Sequence, residues 1–272
     1  MESVWDHSVY KKPNLRNHDH DISAREAAYF IDDMVHQLDE IEAEPNTRQA
    51  QLSTRGGVER DLYDDRFPKA PESDKGLNLT QKKLTDADLT ALARHLKAGH
   101  RYNALFLGGN QFSHLGLVTL LEVLKTDQLV RHLILPNNHL NQFAMAGLAD
   151  LFKVNHFIGW LVLNKNAVGT FGVKIFSDCL PRNKGLKHLI LSDNEIEDMT
   201  ALVENLMDHP RIESLFLQRN PILKKGYKAL AALIAQSKTL KRVDLRRTGH
   251  GDCLEALDLK ALGRRQGVEV RL

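Results

Sequence analysis

Leu105-Phe-Leu-Gly-Gly-Asn110 returns as Leu133-Ile-Leu-Pro-Asn-Asn138, Leu161-Val-Leu-Asn-Lys-Asn166, Leu189-Ile-Leu-Ser-Asp-Asn194 and Leu215-Phe-Leu-Gln-Arg-Asn220. The closing asparagines are spaced by 28, 28, 28 and 26 residues. One period earlier stands Leu77-Asn-Leu-Thr-Gln-Lys82, and one period later Val243-Asp-Leu-Arg-Arg-Thr248. Residues 77–272 thus accommodate about seven units of 28. Self-similarity at a fixed period marks a solenoid, in which each unit buries its apolar face only against its neighbours.

Every unit opens on apolar alternation and then changes to helical spacing. Leu105 and Leu107 are followed by Phe112, Leu117, Leu120, Leu121 and Leu124; Leu77 and Leu79 by Leu84, Leu89, Leu92 and Leu96; Leu215 and Leu217 by Ile222, Tyr227, Leu230 and Ile234. The pattern predicts one strand and one helix per unit, stacked into a parallel sheet with helices along the other side. Helices are wider than the strand spacing of about 4.8 Å, so the stack curves with its strands inside. The fold class expected is an α/β solenoid, preceded by a helical segment. Asn110, Asn138, Asn166, Asn194 and Asn220 are expected to turn inward and satisfy loop backbone of adjoining units. Val268-Glu-Val-Arg-Leu272 alternates and predicts a last strand.

This LxxLxLxxN pattern, with its helix and its period, resembles the ribonuclease-inhibitor class of leucine-rich repeats. The resemblance covers 77–272 and implies a curved horseshoe that binds other proteins. It is similar to free-standing leucine-rich-repeat effectors of intracellular bacterial pathogens, which implies delivery to a host cytosol. The scaffold by itself carries many functions.

Residues 1–21 are polar and read as a mobile tail. Residues 22–76 read as an amphipathic helix over 22–43, with Ala27, Phe30, Ile31, Met34, Leu38 and Ile41 at helical spacing, followed by a connector. Its role is read either as a cap over the first repeat or as a second contact surface. Residues 1–75 hold 10 Lys and Arg against 17 Asp and Glu, a net of −7, whereas the rest hold 27 against 18, a net of +9.

Composition excludes several classes. The chain is 272 residues long, 42% hydrophobic and 26% charged, and no apolar run approaches the length of a membrane span. Met1-Glu2-Ser3-Val4-Trp5-Asp6-His7 has no basic-then-apolar stretch, and two cysteines do not make a disulfide framework, so a cytoplasmic protein is expected. There is no phosphate-binding glycine loop, GxSxG or HExxH. His18-Asp19-His20-Asp21 lacks closed-site spacing for a metal, and Cys253 reads as part of a capping turn rather than a nucleophile. No cofactor, metal or catalytic residue is expected.

The informative positions are the strand residues facing away from the core. Four residues before each asparagine stand Phe106, Ile134, Val162, Ile190, Phe216 and Asp244; six before, His132, Trp160 and His188; two before, Asn164, Gln218 and Arg246. With Arg219 beside them, these residues form the candidate partner-binding surface: an apolar stripe, expected to be open to solvent and centred on Trp160, with charge at its rim. A non-enzymatic protein-binding module is the reading that follows, one that occludes a partner enzyme with an acidic surface and is monomeric when unbound. The alternatives are a GTPase-activating or other regulatory module and an effector adaptor. Nucleic acid is disfavoured because the centre of the stripe is apolar.

Overall fold

A computed structural model describes residues 76–249 and 254–272. The predicted tail, the helix over 22–43, the connector and Cys253 lie outside the described residues. Strands and helices alternate throughout. The strands are β1 (Gly76–Asn78), β2 (Ala104–Phe106), β3 (His132–Ile134), β4 (Trp160–Val162), β5 (His188–Ile190), β6 (Ser214–Phe216), β7 (Arg242–Asp244) and β8 (Glu269–Arg271). The helices are α1 (Asp86–Ala98), α2 (His114–Leu124), α3 (Gln142–Val154), α4 (Gly169–Ser177), α5 (Thr200–Leu206), α6 (Lys224–Gln236) and α7 (Leu254–Gln266). All eight strands form one open parallel sheet in chain order. Each helix packs against its immediate neighbours in the chain, so the architecture is the expected α/β solenoid with leucine-rich-repeat form.

Strand register stacks equivalent residues. Leu77, Leu105, Leu133, Leu161, Leu189, Leu215, Val243 and Val270 pair in sequence along the sheet. They face a continuous core completed by the helical leucines, including Leu89, Leu117, Leu148, Leu202 and Leu230. Tyr227, Phe152 and Phe176 are its largest fully buried side chains, and the last two meet edge-on at 5.5 Å. Cys179 belongs to the same core, where burial pushes its thiol up to about 12.

The asparagines do what the repeat predicts. Asn166 Nδ2 donates to the carbonyls of Leu135 (2.9 Å) and Leu163 (2.8 Å), while its Oδ1 accepts from Asn138 N (2.9 Å) and Leu140 N (3.0 Å). Asn110, Asn194 and Asn220 repeat the pattern with their own neighbours. The residue before each asparagine position, from Gln81 through Gly109, Asn137, Lys165, Asp193 and Arg219 to Arg247, sits in the left-handed region with φ between 53° and 65°. Only Gly109 adopts that conformation without steric cost; elsewhere the hydrogen-bonded loop holds a side chain in it. In the last such unit Thr248 Oγ1 takes over, donating to the Leu245 carbonyl at 2.6 Å.

A second ladder lies at the opposite end of the strands. Asp127, Asn155 and Asn183 each accept two backbone N–H groups from the residues entering the next strand, at 2.7–3.0 Å. Ser237 does so once at 3.1 Å and again at 3.3 Å, and the Nδ1 atoms of His100 and His209 each accept one such bond. Asn155 and Asn183 also donate back to the preceding unit, through Leu124 and Phe152 carbonyls. From β1 to β7, both ends of the connections between strands are thereby tied to backbone.

Candidate functional site

The three residues of each strand alternate in direction, so the first and third face away from the core. Pairing puts the candidate residues into two stacked rows. One runs Ala104, His132, Trp160, His188, Ser214, Arg242; the other runs Phe106, Ile134, Val162, Ile190, Phe216, Asp244. The third row, at the strand exits, carries Asn164, Ser192, Gln218 and Arg246.

Trp160 occupies the middle of the first row and is half-buried. Its ring stacks on His188 with centroids 3.7 Å apart and lies 5.8 Å from His132 at a tilt. Burial pushes the His188 imidazole down to about 4, with Lys187, His132 and Lys241 adding to the effect and Glu213 opposing it. The stack at neutral pH is therefore one of neutral rings, not a cation over an indole. Phe106 and Ile134 are also half-buried.

Exposure along the second row departs from expectation. Val162 (1%), Ile190 (0%) and Phe216 (4%) are buried, as is Asp244. At the strand spacing of about 4.8 Å, each is flanked by its equivalents in both neighbouring strands and by rows on either side. A third-position side chain is thus enclosed in a way that period-two alternation does not reveal. His132, Asn164, His188 and Gln218 are buried as well, leaving Phe106, Ile134, Trp160, Arg219 and Arg246 as the half-exposed members. The open stripe reduces to an aromatic centre with Phe106 and Ile134 beside it.

The polar row is uneven. Ser192 Oγ and the Gln218 side-chain oxygen form a short hydrogen bond. Arg246 clasps the buried Asp244 carboxylate through Nε (3.0 Å) and Nη2 (2.9 Å), which closes the seventh unit on itself. By contrast, the buried Asn164 Oδ1 and Gln218 Nε2 have no hydrogen-bond partner. The rim charges largely face one another: Lys241 meets Glu213 at 2.7 Å, and Arg219 lies 3.6 Å from Asp193. Arg131 lies over the Phe157 ring at 5.1 Å.

Among the described residues, no group of three or more His, Cys, Asp or Glu side chains is arranged to hold a metal, and no helix is long and apolar enough to cross a membrane. One feature escaped sequence reading. Leu115, Phe143 and Phe171 are exposed at the first turns of α2, α3 and α4. Their shared 28-residue spacing is the signal that identifies them as a row.

No family model matches the chain, and no curated protein matches it in sequence. Among solved structures, leiomodin-1 actin-binding site 2 is similar with a TM-score of 0.42 and 14% identity, over 51% of this chain and 83% of that one.

Proposed function

We propose that the sheet face bearing Trp160 binds a partner protein, and that the molecule acts by occupying that partner rather than by catalysis. The observation that carries this reading is the indole itself. A half-exposed tryptophan, sandwiched by two histidines at the centre of the face, adds nothing that the repeat requires. Equivalent positions in other units are Ala104, Ser214 and Arg242. A central aromatic amid half-buried apolar neighbours has the composition of a binding hot spot.

Further features support it. The net charge of +9 on the repeat region favours an acidic partner and an encounter rate that falls with added salt. A relatively rigid, laterally extended sheet keeps the ordering cost of association low, which suits steric blockade of an enzyme, the mode implied by the resemblance to ribonuclease-inhibitor-type repeats. On that reading the setting is intracellular, and a pathogen effector of this kind would work in host cytosol.

The test is affinity capture from the native cellular setting with the full chain beside Trp160→Ala and Phe106→Ala. A protein retained by wild type and lost from both variants, with their melting profiles preserved, supports the assignment. Equal retention by all three removes this face from consideration.

A further inference from the structure

Leu115, Phe143 and Phe171 are 66%, 57% and 64% exposed, and they lie on the edge of the solenoid where strands hand over to helices. Position does not demand them: the same register in the first and sixth units is filled by Ala87 and Lys225. Ser113 and Asn141 cap the helices by accepting from the backbone N–H of Leu115 and Phe143, both at 3.1 Å, which fixes where those residues project. Neighbouring helices pack at about 8–10 Å, so the three side chains span roughly 20 Å. A depression of about 260 Å³, lined by residues that include Phe112, His114, His139 and Asn141, adjoins them.

The surrounding charges are arranged around this row. No Asp, Glu, Lys or Arg occurs between Gly108 and Leu121 or between His132 and Ala149. One unit beyond Leu115, Lys82 and Lys83 are exposed on the same edge; one unit beyond Phe171, Glu195 and Glu197 are exposed. Beside these residues, Asp86 accepts from Ser113 N (2.6 Å) and Oγ (2.7 Å), and Asp198 pairs with Lys225 at 2.6 Å, so both carboxylates are engaged internally. The edge thus reads basic, apolar, apolar, apolar, acidic over five successive units, with Phe143 at its midpoint.

We infer that this edge is an isologous contact between two copies of the chain, related by a two-fold axis at Phe143. A two-fold contact sets each surface against itself, so a patch with net charge repels its own image. An antiparallel pairing about the third unit avoids that. Phe143 meets its own equivalent, Leu115 meets the other copy's fourth unit, and Lys82 and Lys83 meet the acidic fifth. The charge-depleted centre and charged ends match the anatomy of a protein interface. The sheet face bearing Trp160 lies outside this contact, so the inference stands or falls independently of the proposed function.

The experiment is sedimentation velocity of the full chain from about 1 to 200 μM, with Phe143→Glu and Phe143→Lys alone and mixed. Wild type is expected to dimerise and each variant to sediment as a monomer, with dimer affinity weakened at least 100-fold. The equimolar mixture should recover a dimer, because the opposed residues become an ion pair. Joint replacement Lys82→Glu and Lys83→Glu should weaken the dimer at least tenfold, and adding Glu195→Lys and Glu197→Lys should restore it. Trp160→Ala should remain dimeric. A wild-type monomer throughout the range overturns the inference, including one that co-sediments with phosphatidylcholine vesicles through the same edge. A dimer indifferent to Phe143→Glu, or a mixture that stays monomeric, overturns it equally.

Discussion

The two faces of each strand obey different rules. Toward the core, the middle strand residue is leucine in six successive strands and valine in the last two, and the asparagine after it makes the same bonds in unit after unit. On the opposite face the row through His132, Trp160, His188, Ser214 and Arg242 hardly repeats a residue. Stacking energy selects for sameness where units touch, because each interface must be completed by the next copy. Where a face has no such duty, its residues are free to be shaped by something outside the repeat. Identity repeated from unit to unit therefore reports on folding, and we propose that the variety of this row reflects recognition.

The sharpest way to break that division is to damage the uniform side. Asn166→Ala removes the Nδ2 group that donates to Leu135 and Leu163 and the Oδ1 atom that accepts from Asn138 N and Leu140 N in a buried loop. Several backbone groups are left unmatched at once, so stability should fall by about 3–5 kcal/mol, read as a shift in the denaturant midpoint. A loss below about 1 kcal/mol would mean that the ladder is ornamental and that core packing alone sets the repeat.

Trp160→Ala tests the variable side. Partner affinity should fall by about 2–4 kcal/mol while the unfolding midpoint changes little, since only the stacking on His188 and the approach to His132 are lost. A variant that binds normally but unfolds early would transfer Trp160 to the folding side of the comparison.

How much of this was legible depended on whether chemistry repeats by identity or by role. The asparagine ladder and the leucine core recur as the same residue, so self-comparison finds them directly. The second ladder is equally periodic but is filled by His100, Asp127, Asn155, Asn183, His209 and Ser237. Any side chain that can accept a backbone N–H serves there, so letter matching passes over it. The rows on the sheet face opposite the core were placed correctly by counting, but their exposure was not. Phe216 and Ile190 look open on a period-two drawing and are buried by the lateral crowding of a narrow sheet. Phe143 was hidden for the opposite reason, because an apolar residue in an apolar-periodic helix passes for core.

Acid should separate the faces by a smaller margin. Burial pushes His188 down to about 4, and burial does the same to His209, with Arg211 adding to it. Both are neutral when folded and when unfolded well above pH 6.5, where they contribute no pH dependence. As pH falls below that ordinary value the unfolded chain takes up protons that the folded chain refuses, so stability declines until about pH 4. Each group accounts for on the order of 2–3 kcal/mol across that window. His188→Asn should flatten part of the decline in a pH series of denaturant melts. An unchanged slope would show that His188 is solvated and does not belong to a dry stack beneath Trp160.

The smallest effect is expected at Arg219, and it discriminates between modes of action. Arg219 stands at a loop tip in the left-handed conformation, φ 53°, with its guanidinium 3.6 Å from Asp193. A partly exposed pair at that distance contributes within about 0.5 kcal/mol, so Arg219→Ala should leave stability nearly unchanged. Under steric blockade the substitution weakens affinity and effect on the partner in the same modest proportion, because coverage of the partner is all that matters. Catalytic assistance would separate the two, since one projecting cation supplying transition-state charge can be lost without disturbing the docked complex. The measurement is partner activity at saturating concentrations of wild type and of Arg219→Ala, beside their dissociation constants. Equal maximal effects with slightly different constants support blockade. A variant that binds as tightly as wild type and leaves partner activity untouched would turn the molecule from an occluding surface into a donor of a functional group.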